Sequence, residues 1–125
     1  MARILVIDDQ LHIRNIIKEF LSIDKHTVDL AENGKVGLKL AGENVYDLVI
    51  TDVVMPERDG LEVIISLKQL FPHVRIIVMS GGAARFDIEF LLKTAKALGA
   101  DRMLPKPLDF TKLQGVVNGL LAVEK

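Results

Sequence analysis

Five side chains whose types suit phosphorus chemistry are spread along this chain. Two adjacent carboxylates, Asp8 and Asp9, close the stretch "RILVIDDQ"; Asp52 stands in "DLVITDVVMPERDGLEVI", Ser80 in "IIVMSGG" and Lys106 in "LGADRMLPKPL". Carboxylates brought close together repel unless a cation or a proton intervenes, and hard oxygen donors of this kind suit Mg²⁺, which keeps several of its waters. Beside such an ion, an ionised Asp can attack phosphorus and form an acyl phosphate. Phosphoryl transfer depends mainly on positioning and charge neutralisation, so a metal on one side, a lysine on the other and a hydroxyl donor supply its parts. Asp8, Asp9 and Asp52 are the candidate metal ligands, Asp52 is the candidate nucleophile, and Lys106 and Ser80 are the candidate holders of the phosphoryl oxygens.

Each of these residues also has a plain reading when taken alone. Asp9 suits a helix cap, Ser80 before Gly81 and Gly82 suits an ordinary loop, and Lys106 before Pro107 suits a solvated surface. What joins them is where they fall relative to the elements. Apolar segments of strand length at 3–7, 27–31, 47–51, 74–79 and 101–105 alternate with segments of helical periodicity at 11–22, 35–42, 61–70, 86–98 and 109–122. In "LHIRNIIKEFLS", Ile13, Ile16, Ile17, Phe20 and Leu21 form one stripe, with Arg14, Lys18 and Glu19 elsewhere. Strands as uniformly apolar as "DLVI" and "RIIVM" predict a parallel sheet covered on both faces, and right-handed crossovers make it a doubly wound, three-layer α/β/α domain. Ligands of such sheets bind beyond the carboxyl ends of the strands. All five candidate residues lie at those ends.

Composition narrows the function classes. The chain has 125 residues, half of them hydrophobic, and a formal net charge of −1, which predicts one domain spanning 1–125 and gives no excess of positive charge for holding nucleic acid directly. There is no cysteine, so no disulfide or thiolate metal site exists, and the apolar runs are too short for a signal peptide or a membrane span. A cytoplasmic protein is expected. The stretch "GKVG" at 34–37 does not complete a glycine-rich phosphate loop, so a nucleotide is not the expected direct donor. His12, His26 and His73 are scattered and read as surface residues.

Over residues 3–122 the chain resembles the receiver domain of two-component response regulators, the CheY-like family. The acid pair, the D-x-x-M-P-x-x-x-G stretch from Asp52 and the Lys106-Pro107 pair carry the resemblance. It implies a flavodoxin-like fold of strand order 2-1-3-4-5 and a phosphoryl group accepted on Asp52 from a sensor histidine kinase or phosphotransfer protein. It also implies that Asp9, Asp52 and the main-chain carbonyl of Val54 bind Mg²⁺, with Asp8 acting mostly through a metal-bound water. Lys106 and Ser80 would contact the phosphoryl group, and the Lys106–Pro107 peptide bond would be cis. Such a protein is no conventional enzyme; it catalyses only its own phosphorylation and dephosphorylation, and controls a partner or an output domain.

Some positions depart from the family's usual pattern. Met103 stands where Tyr or Phe is common, and a flexible thioether implies softer coupling than an aromatic switch. The stretch after Ser80, "GGAARFD", is longer than in compact members, and its glycines allow main-chain N–H groups to approach a phosphoryl group. Val54, two residues after Asp52, cannot orient a water with its side chain, which predicts a long-lived phosphorylated state. On the helix at 86–98, Phe86 and Phe90 fall opposite the stripe that faces the sheet. They form an expected docking surface for a kinase, a target or a second copy, in line with the family's use of its fourth helix, fifth strand and fifth helix. A Mg²⁺-dependent phosphohydrolase of the haloacid dehalogenase type also uses an aspartyl phosphate, but wants a second acid where this chain has Val54. A receiver kept only as a binding module is the third reading, and the complete set of five site residues argues against it.

Overall fold

The structure is a computed structural model that describes residues 2–53, 60–80 and 93–123. Val54, Gly81, Gly82, Phe86 and Phe90, on which several expectations rest, lie outside the described residues. Five strands, β1 (Arg3–Ile7), β2 (Thr27–Ala31), β3 (Leu48–Asp52), β4 (Arg75–Ser80) and β5 (Arg102–Pro105), form one sheet in the order β2-β1-β3-β4-β5. All four pairings are parallel. The helices are α1 (Leu11–Ile23), α2 (Gly34–Glu43), α3 (Gly60–Leu70), α4, described over residues 93–98, and α5 (Phe110–Val123).

Alternation along the strands sorts their side chains into two cores. Ile4, Val6, Leu48, Ile50, Ile77 and Met79 pack with Ile17 and Leu21 of α1 and Leu113, Val117 and Leu120 of α5. Leu5, Ile7, Val49, Ile76 and Val78 face the other way and pack with Ala41 of α2, Val63, Ile64 and Leu67 of α3 and Ala95 of α4. A sheet buried on both faces needs apolar residues at successive positions, which is why these strands read as continuous hydrophobic runs. Ring stacking of Phe20 on Phe110, with centroids 5.2 Å apart, ties α1 to α5. Among the described residues no helix is long and apolar enough to cross a membrane.

Polar contacts fix where the strands begin. Asp47 was expected inside the third strand, but it stands just before it: its carboxylate accepts the N–H of Arg3 at 2.9 Å and its own N–H donates to the Arg3 carbonyl at 2.9 Å. This shifts β3 by one residue and brings Asp52 into the strand. Asp101 does the same before β5, accepting the N–H of Ile76 at 2.8 Å. At the outer edge, Asp29 accepts from Arg3 at 3.0 Å and from the Tyr46 hydroxyl at 2.7 Å. Burial and the neighbouring Asp29 carboxylate push the Tyr46 phenol up to about 12.

One histidine departs from the surface reading. His26 is half-buried, its Nδ1 accepting the N–H of Ala2 at 3.0 Å and its Nε2 lying 3.0 Å from Oδ1 of Asn118 on α5. The turn that carries it ends α1 with paired bonds, the N–H of Lys25 to the Ser22 carbonyl at 2.9 Å and the N–H of His26 to the Leu21 carbonyl at 3.4 Å. That closure requires a left-handed residue after the cap, where glycine is favoured, and Lys25 occupies it at φ 64°. Lys25→Gly should therefore raise unfolding free energy by about 0.5–1 kcal/mol, measured by urea denaturation, because a Cβ opposes that conformation.

Candidate functional site

The register of the parallel strands builds the site. Ile7 pairs with Thr51 across β1 and β3, so the next residues along, Asp8 and Asp52, stand side by side at the carboxyl edge of the sheet. Asp52 pairs in turn with Met79, and Ser80 with Pro105. Lys106 follows immediately, its N–H donating to the Ser80 carbonyl at 2.7 Å, and the Lys106–Pro107 peptide is cis. The sheet thus gathers residues from four strand ends into one place, as expected. Asp8, Asp52 and Ser80 are buried, Lys106 is half-buried and Asp9 is exposed.

The Lys106 ammonium lies between two carboxylates, donating to Oδ2 of Asp8 at 2.7 Å and to Oδ2 of Asp52 at 2.8 Å. Burial on its own would pull this ammonium down; the bonds and charges of Asp52 and Asp8 outweigh that and hold it above its ordinary 10.5. One positive charge thus faces two buried negative ones, with Asp9 adding a third. Asp8, Asp9 and Asp52 each offer a carboxylate oxygen, and these atoms lie within 4.8 Å of one another. A cluster of hard, charged oxygens with one exposed member fits a small divalent cation that retains water.

The capping role considered for Asp9 is not what the structure shows. Gln10 is the residue before α1, and its side chain makes no cap bond. It is Asp8 that turns the chain into the helix, its Oδ1 accepting the Gln10 N–H at 2.8 Å. Arg14, read from sequence only as lying off the apolar stripe, donates from Nη1 to the Asp8 carbonyl at 2.7 Å. No sequence signal marks a side chain that binds a backbone carbonyl six residues away. Met103, in the usual aromatic position, is half-buried and packs against the core shared with α2 and α3.

A cavity of about 790 Å³ lies at the opposite, amino edge of the sheet, lined by Val45, Phe71, Pro72 and Arg75 among others. It contains none of the five candidate residues, so chemistry rather than cavity size locates the site.

The model of the response regulator receiver domain family matches residues 4–118. The DNA-binding transcriptional regulator NtrC of Azospirillum brasilense is 38% identical over 120 residues, covering 96% of this chain and 24% of that protein. Response regulator MprA of Mycobacterium sp. (strain KMS) is 36% identical, covering 96% of this chain and 50% of the relative. The chain therefore spans half or less of the length of these curated relatives. The structure of response regulator TrrA from Thermotoga maritima, in complex with Mg²⁺ and BeF, superposes with a TM-score of 0.83 at 33% identity, covering 96% of this chain and 99% of the other.

Removing the ammonium takes from the buried Asp8 and Asp52 the cation that they share. Lys106→Met should lower the stability of the metal-free protein at neutral pH, on the order of 3 kcal/mol, the low end for breaking a buried pair. Because folding raises the Lys106 pKa, its contribution is fully present below 10.5 and is lost as pH rises beyond that value. The gap between wild type and variant in urea denaturation should close over the same range.

Proposed function

The chain belongs to the response regulator receiver domain family, and on that premise we propose that it is a switch thrown by phosphorylation of Asp52, with Mg²⁺ as cofactor. The observation that carries the proposal is the single ammonium of Lys106 bonded to both Asp8 and Asp52, with the oxygens of all three acids within 4.8 Å of one another. The arrangement holds a nucleophilic carboxylate at a place rich in negative charge and already supplied with one cation.

In the proposed reaction, an oxygen of ionised Asp52 attacks the phosphorus of a phosphohistidine on a kinase or phosphotransfer protein. The O–P bond forms as the P–N bond breaks, and the imidazole leaves with the electron pair and takes up a proton. Asp9, Asp52 and the Val54 carbonyl would hold Mg²⁺, with Asp8 steadying a water; bound there, the ion would offset the charge of the phosphoryl oxygens. Lys106 keeps the carboxylates from repelling one another and can pass to a phosphoryl oxygen as that charge arrives. Ser80, buried at the end of β4, would donate from its hydroxyl to another oxygen. Hydrolysis by water returns the Asp52 carboxylate and inorganic phosphate. The phosphorylated conformation would then be selected by a target protein or an output domain, since a partner that prefers one of two conformations shifts their populations.

Incubation with acetyl phosphate and Mg²⁺ should add one phosphoryl mass to the intact protein, with no addition to Asp52→Asn or in EDTA. An adduct that survives Asp52→Asn refutes the assignment, and steady turnover of external phosphate esters would favour the phosphohydrolase. The lifetime of the adduct tests the effect of Val54. Val54→Asn, which can orient an attacking water, should shorten it several-fold, followed as loss of the adduct after the donor is removed.

A further inference from the structure

Asp8 is tied at every polar atom. Its N–H donates to the Ala31 carbonyl of β2 at 3.1 Å, its Oδ1 accepts from the Gln10 N–H at 2.8 Å, and its Oδ2 accepts from Lys106 at 2.7 Å. The fourth tie, on its carbonyl, is the Arg14 guanidinium at 2.7 Å. That carbonyl belongs to the peptide joining Asp8 to Asp9. A peptide is planar, so a bond to its oxygen restrains the plane that also contains the Cα of Asp9, and with it the direction in which Asp9 leaves the strand.

The place of Arg14 is costly by the rules of an isolated helix. It sits in the first turn of α1, where the positive end of the helix dipole disfavours a cation and favours an acid, and that turn has no acidic residue. A local preference broken in this way is the expected mark of a residue serving a site. The half-buried Arg14 thus spends its guanidinium on the main chain of the acid pair.

We infer that Arg14 is a positioning residue for the cation centre. By holding the Asp8–Asp9 peptide it aims the exposed Asp9 carboxylate at the space it shares with Asp52. The inference rests on the reading of the three acids as a Mg²⁺ site and adds a residue that touches neither metal nor phosphorus. Partners of this kind, one bond removed from the ligands, typically change metal affinity by 10–100-fold when lost.

The test is a titration of the full chain with Mg²⁺, following the backbone amide resonances of Asp9 and Gln10 by NMR, for wild type, Arg14→Gln, Arg14→Met and Arg14→Lys. Urea denaturation of each in EDTA runs alongside. Arg14→Gln should raise the Mg²⁺ dissociation constant on the order of tenfold. Arg14→Lys should recover part of the loss, because an ammonium can still donate to the Asp8 carbonyl. If Arg14→Gln does not fold, Arg14→Met, which keeps the aliphatic stem, carries the same expectation. An unchanged dissociation constant in the folded variants overturns the inference, and so does lowered stability in EDTA with unchanged affinity, which would leave Arg14 a structural role only. If wild type takes up no Mg²⁺, the cation centre itself fails and the inference falls with it. Normal wild-type binding matched by the variants removes the role of Arg14 alone.

Discussion

Everything at the carboxyl edge of this sheet answers to the mutual repulsion of three carboxylates. Two of them, Asp8 and Asp52, are buried, where water cannot screen their charge. A single ammonium between them is the least the fold can supply, and Lys106 supplies it from just past the end of β5, on the far side of β4. The compensation is incomplete, since one ammonium faces three clustered carboxylates. A fully neutralised cluster would have no call for a divalent ion, whereas a cluster with no lysine would be costly to fold without one.

The sheet's topology turns this electrostatic problem into a geometric one. Because every pairing is parallel, the carboxyl ends of β1, β3, β4 and β5 open on one edge, and residues far apart in sequence meet there. The two cores on either face set the height at which each strand ends. Gly37 of α2 packs so closely on Ile7 that a Cβ would have to displace that side chain, so the helix holds the last residue of β1 directly before Asp8. Packing on the strands is in this sense part of the site.

Much of this was legible in the sequence, because it depends on features that leave a pattern. Strands buried on both faces must be continuously apolar, helices on a sheet must carry a stripe, and acids at the ends of apolar runs stand out. What was not legible depends on partners that leave no pattern. The bond from Arg14 goes to a main-chain carbonyl, which every residue has. His26 joins the start of the chain to Asn118, a pairing set by the docking of α5 rather than by any local motif. The one-residue shift of β3 came from Asp47, whose carboxylate engages Arg3 instead of following the apolar run. Lys25 takes a conformation that composition assigns to glycine, because the paired bonds that close α1 need it.

The geometry also separates two residues that look alike in "VIDDQ". Both Asp8 oxygens already have partners, the Gln10 N–H and the Lys106 ammonium, and the residue has no exposed surface. It has little left to offer an ion directly without giving up Lys106. Asp9 is exposed at the open side of the cluster, where a hydrated cation would arrive. On the proposed reading, this asymmetry gives a division of labour in which Asp8 sets the frame and Asp9 would meet the metal. It follows from a one-residue difference along the strand: the first acid is still held by β2 through the Ala31 carbonyl, and the second has passed beyond the sheet.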